Sequence, residues 1–67
     1  MKYHAMTVDY YNGKTYWNKS KDKLKDVYEH LQKYCHRRCH VLIFKEKNPS
    51  NGLEFVKRIE NYNEPKS

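Results

Sequence analysis

Cys39-His40-Val41-Leu42-Ile43-Phe44-Lys45-Glu46 is the stretch on which the fold turns. Its four consecutive apolar residues predict a central strand, buried on one face and at least partly covered on the other. Toward the C-terminus, Asn48-Pro49-Ser50-Asn51-Gly52 is a cluster of turn residues and reads as a loop. Residues 53–60 alternate imperfectly. Leu53, Val56 and Ile59 share a helical step, but Phe55, Val56 and Ile59 favour extended backbone and the preceding loop suits a hairpin, so a fourth strand is preferred. Residues 61–67 are polar, contain Pro65 and read as a flexible tail.

Upstream of the central strand, residues 21–36 read as a helix with Ser20 capping its first turn. Leu24, Val27, Tyr28, Leu31 and Cys35 recur at three- and four-residue steps and form one apolar stripe. The charged residues between them contribute little, about 0.2–0.5 kcal/mol for each exposed pair, so the stripe must hold the helix down. Residues 3–18 read as a hairpin, because Asn12-Gly13 is a strong two-residue turn signal between β-forming runs. That turn sets a register in which Tyr10 faces Thr15 and Val8 faces Trp17. One face then carries Met6, Val8, Tyr10, Thr15 and Trp17 and is the better core candidate, since Val8 and Trp17 make an apolar cross-strand pair. Tyr3, Ala5, Asp9, Tyr11, Lys14 and Tyr16 fall on the other.

The architecture expected is a small α+β domain, ββαββ, with one helix packed on a four-stranded, mainly antiparallel sheet. Residues 1–60 form a single compact domain and residues 61–67 its polar tail. A single helix covers one face of the sheet, which leaves the other for a partner.

Size limits function. At 67 residues and 8.3 kDa there is room for one core only, which excludes a Rossmann fold, a barrel and a multi-domain machine. The longest apolar run, Val41 to Phe44, is far short of the roughly 18 residues of a membrane span. No apolar segment follows Met1-Lys2-Tyr3-His4, so no signal peptide is expected. Two cysteines without an export signal predict a reducing, cytoplasmic setting rather than a disulfide scaffold. The abundance of Lys, Asn and Tyr, all with AT-rich codons, suggests a low-GC bacterium or one of its mobile elements, a phage included.

Cys35-His36-Arg37-Arg38-Cys39-His40 gathers four potential metal ligands. A tetrahedral zinc site needs a second ligand arm, and the chain offers only His4 and His30 elsewhere. The simpler reading makes Cys35 the end of the helix stripe and Cys39 the start of the strand, both small hydrophobes. No metal and no cofactor is expected. The same residues supply a thiol, an imidazole and cations for a nucleophile, but a chain this short rarely builds a water-excluding pocket. No carboxylate pair or glycine-rich phosphate loop is present, so an enzyme is not expected.

Charge gives the leading functional expectation. The chain carries a net +6, and residues 19–38 hold seven cations against Asp22, Asp26 and Glu29, a net +4. Rings interleaved with cations on an open sheet suit nucleic acid, with Lys14, Lys21, Lys25, Arg37 and Arg38 on phosphates and Tyr11 and Tyr16 stacking on bases. Residues 48–67 are neutral, which assigns the contacts to the helix side and hairpin. The competing expectation uses apolar surface. If Leu42 and Phe44 meet the helix, then Val41 and Ile43 face outward with Val56, as a homodimer interface or as the docking strip of a phage or mobile-element inhibitor that binds a host protein.

Overall fold

The computed structural model describes residues 2–47 and 52–63. Five elements follow in the expected order: β1 (Tyr3–Asp9), β2 (Thr15–Trp17), α1 (Leu24–Tyr34), β3 (Cys39–Glu46) and β4 (Leu53–Tyr62). The strands form one sheet in the order β2-β1-β3-β4, with every neighbouring pair antiparallel. The ββαββ arrangement is therefore as the sequence predicts. β3 has the bounds expected of it and lies inside the sheet, between β1 and β4. Residues 53–60 are strand rather than helix. Of the expected 48–52 loop, only Gly52 lies among the described residues.

The apolar stripe of α1 packs as its spacing requires. Val27 and Leu31 are buried, and Leu24, Tyr28 and Cys35 pack around them. The helix begins later than expected, because residue 21 is held in an isolated bridge to β1. The Tyr3 amide donates to the Lys21 carbonyl at 2.7 Å and the Lys21 amide returns the bond to Tyr3 at 3.0 Å. Ser20 is thus too early to cap; Lys23 holds the cap position, without a side-chain bond.

The sheet presents the opposite face to the helix from the one expected. Ala5 of β1 and Cys39, Val41 and Ile43 of β3 form the core with Val27 and Leu31 of α1, and Thr7 and Asp9 of β1 are buried on the same face. In register these residues pair as Ala5 with Ile43, Thr7 with Val41 and Asp9 with Cys39. Val41 and Ile43 are both 0 % exposed, so they are core and not a partner interface. Met6, Val8 and Trp17 stand on the uncovered side, where Trp17 is 59 % exposed. Side-chain size explains the choice. Ala5 and Thr7 are small enough for a helix to sit close over them, and the β-branched Val41 and Ile43 fill the space between. Burying a side chain such as Ile43 or Leu31 stabilises the fold by about 1.5–3 kcal/mol.

The hairpin turn is wider than a two-residue loop. Thr15 pairs with Val8 and Trp17 with Met6, a slip of two residues from the expected register. The cause is Asp9, whose carboxylate accepts the Tyr11 amide at 2.8 Å and the Asn12 amide at 3.1 Å. The turn then closes from Asp9 itself, its amide donating to the Lys14 carbonyl at 2.8 Å. Gly13 takes φ +71°, the left-handed conformation that a glycine adopts without steric cost. Because the slip is even, each residue keeps its face.

β4 runs past the expected boundary at residue 60, and Asn61 and Tyr62 complete it. Asn63 then donates to the carbonyls of Cys35 and Arg37 at 2.7 and 3.1 Å, fastening the chain to the loop after α1. Residues 64–67 of the expected tail lie outside the described residues.

Candidate functional site

The face turned away from α1 is built by alternation along β1 and β3. Cross-strand pairing lines up Trp17, Met6, Leu42 and Arg58 in one row and His4, Phe44 and Phe55 in the next. Three rings dominate it. Trp17 and Phe44 lie 5.8 Å apart between centroids, and Phe44 and Phe55 lie 5.8 Å apart in an edge-to-face contact. They come from β2, β3 and β4, so the aromatic row crosses the whole sheet. Phe55 reaches its place through an irregularity in the β3–β4 ladder: Ile43 pairs with Lys57 and Phe44 with Phe55, which leaves Val56 as the extra residue.

Cations stand at the rim. The Arg38 guanidinium stacks 3.7 Å over the Tyr10 ring, which in turn touches Tyr11 and His40. Arg58 pairs with Glu60 at 2.8 Å beside Leu42. At another edge His4 lies 3.5 Å from Glu46, whose carboxylate accepts the Lys2 amide; that bond holds the Glu46 pKa below its usual value.

On the helix side, where α1 ends, lies a second feature. The Cys35 and Cys39 sulfurs are 3.4 Å apart, and Arg37 Nε is 3.3 Å from the buried Asp9 carboxylate. Together with Thr7 and Tyr16 these residues line a cleft of about 290 Å³. The amides of Asn12 and Tyr11 hold the Asp9 pKa down against the effect of burial, and Arg37 adds to them. Burial and the Cys35 contact push the Cys39 thiol up. Desolvation likewise raises the Tyr62 hydroxyl, with the two sulfurs nearby.

The residues expected to bind nucleic acid do not share one surface. Arg38 and Tyr11 reach the rim of the open face through Tyr10. Tyr16 pairs with Thr7 and therefore lines the cleft on the helix side with Arg37. Lys25 is on the exposed side of α1, Lys21 bridges to Tyr3, and Lys14 is in the exposed hairpin turn. Of the expected apolar strip, only Val56 is exposed. Sequence reasoning missed Trp17, Phe44 and Phe55 as a row. The signal for it was the size alternation along β1, with Ala5 and Thr7 on one side and Met6 and Val8 on the other.

The ligand types of residues 35–40 are also divided between faces. Cys35 and Cys39 lie under the helix end, whereas His40 faces the open side and accepts the Asn61 amide at 3.2 Å. Among the described residues no three of His, Cys, Asp and Glu converge as metal ligands. No described helix is long and apolar enough to cross a membrane. The chain matches no protein family, and neither curated proteins nor solved structures give a match.

Proposed function

We propose that the protein is a small, non-catalytic nucleic-acid-binding module that holds a single strand against the open face of its sheet. One observation carries this reading: the row Trp17, Phe44, Phe55, with Trp17 and Phe55 exposed and Phe44 half-buried between them, in a chain of net +6. Bases in a stacked strand are about 3.4 Å apart. Rings 5.8 Å apart cannot each meet a base of such a stack, so they suit a stretched strand with separated bases. Stacking of this kind contributes about 1–3 kcal/mol per base and tolerates any sequence. In this reading Arg38 and Arg58, at the rim, take the phosphates, and Tyr10 and Tyr11 extend the platform toward the hairpin. A duplex hides its base faces and would gain nothing from the row. We assign the protein to the cytoplasm, a reducing setting that suits two free cysteines.

Titration with short homopolymeric DNA and RNA tests the reading, since Trp17 is the only tryptophan and its emission reports stacking directly. Quenching that weakens as salt rises supports it. Unchanged emission with micromolar oligonucleotide at low salt overturns it.

A protein partner is the second reading, favoured by Trp17, Met6 and Leu42, which give one row of the face an apolar stretch as far as Arg58. The occupant would be a host protein or a second copy of the chain. Two copies of net +6 repel, so face-to-face pairing would strengthen with salt, whereas nucleic-acid binding weakens. Sedimentation across a salt series separates the two.

A further inference from the structure

We infer that Cys35 and Cys39 are a reversible dithiol pair that closes to a disulfide by exchange with a small anionic disulfide admitted by the cleft beside Arg37. This inference is independent of what the open face binds.

Geometry brings the two sulfurs together. Cys35 directly follows α1 and Cys39 opens β3, and their sulfurs are 3.4 Å apart. A disulfide needs a sulfur separation of about 2.05 Å, so closure is a short movement of two side chains. The loop between them is already fixed: Asn63 holds the Cys35 and Arg37 carbonyls, and Asp9 holds the Arg37 side chain. The cleft of about 290 Å³ touches both cysteines and is large enough for part of a small peptide disulfide. Arg37, with its side chain 70 % exposed, supplies a cation for the carboxylates of such a molecule.

The two thiols differ in access, and this sets the order of events. Cys39 is 2 % exposed, and burial holds it in the protonated form. Cys35 is only partly buried and lines the cleft. In the first step the Cys35 thiolate attacks one sulfur of the small disulfide, its sulfur–sulfur bond breaks, and one thiolate leaves and takes up a proton. In the second, Cys39 releases its proton to solvent and its sulfur attacks Cys35 Sγ, expelling the second thiolate, which is protonated in turn. Two protein thiols are oxidised, and one small disulfide is reduced to two small thiols. The arrangement is that of a transient intracellular disulfide, not a structural one.

Oxidised glutathione is a suitable probe, with intact mass as the readout on folded protein. Wild type is expected to lose two hydrogens and retain no adduct, and to return to the dithiol with a reductant. Cys39→Ser should accumulate one glutathione adduct on Cys35, and Cys35→Ser should stay unmodified under the same conditions. Arg37→Gln should slow the reaction with glutathione by about threefold but not that with the uncharged hydroxyethyl disulfide, because only the former carries charge to be steered. A wild type that remains a dithiol, or that keeps a stable adduct, overturns the inference. So does a Cys35→Ser variant that is modified as fast as wild type while its circular dichroism remains native.

Discussion

Trp17 and Phe44 meet at 5.8 Å although their strands are not neighbours: β1 runs between them. Adjacent strands are about 4.7–4.9 Å apart, so the two rings lean toward each other over the intervening strand. The contact helps fasten β2, only three residues long, to the centre of the sheet. It also makes the aromatic row continuous, which is the property the proposed function needs.

Replacing single rings tests that row. Phe44→Leu keeps most of the apolar volume and removes the π face. It is expected to change melting little and to weaken oligonucleotide binding by about 1–3 kcal/mol, the contribution of one stacked base. Phe55→Leu should behave likewise. Fluorescence titration beside a melting curve separates lost stacking from lost fold.

Charge variants test which side binds. Removing one phosphate contact from a single-strand complex lowers the slope of log K against log salt by about 0.7. Arg38→Gln, at the rim of the open face, should do so. Lys25→Gln, on the exposed side of the helix, should leave the slope unchanged. The opposite pattern would move the interface to the helix side, where the distribution of charge along the sequence alone would put it.

Core orientation has its own test. Ile43→Ala should destabilise by about 2–5 kcal/mol, a large share of what a domain of this size has, and Ile43→Val by about 0.5–1.5 kcal/mol. Leu42→Val, on the open face, should cost less than Ile43→Val. Denaturant midpoints read both, and equal losses would contradict the burial of Ile43.

Acid should find Asp9. Its pKa is lowered by the Asn12 and Tyr11 amides, so the carboxylate stabilises the fold at pH values above its ordinary pKa. That contribution is lost as pH falls below about 4 and through the lower folded value. Asp9→Asn should reduce stability at neutral pH and flatten the acid limb of a plot of melting temperature against pH. Some slope should survive, because the Glu46 pKa is lowered too.

The hairpin offers a backbone test. Gly13 has φ +71° and no atom within 4 Å of where a Cβ would stand. Gly13→Ala should therefore cost about 1–2 kcal/mol through conformation alone, measurable by denaturation, with no loss of packing.

The elements were legible in the sequence because their signals are local. The run Val41 to Phe44 marks β3, and the spacing of Val27 and Leu31 marks α1. What escaped depends on partners distant in sequence. The helix is shorter than its local signals suggest, because Lys21 bonds to Tyr3, a residue eighteen positions earlier. Hairpin register slipped because the Asp9 side chain, not Asn12-Gly13 alone, shapes the turn. The face of the sheet is the inverse of the one that Val8 and Trp17 suggest by their size, because the small Ala5 and Thr7 admit the helix. That inversion carries the candidate site with it: Val41 and Ile43 lie in the core, and Trp17 and Phe55 lie at the surface with the half-buried Phe44 between them.

The irregular ladder between β3 and β4 has a consequence for how this molecule can associate. Its register shifts twice, at Val56 and near Asn61, and Asn61 holds φ 54°. The other margin of the sheet, β2, is three residues long. Neither border offers a long, regular ladder of free amides and carbonyls to a further strand, so both discourage growth into fibres or edge-to-edge chains. An exposed apolar surface on so small a protein is tolerable under those conditions. A partner of the proposed kind meets such a sheet broadside, flat against the rings, rather than strand by strand at its border.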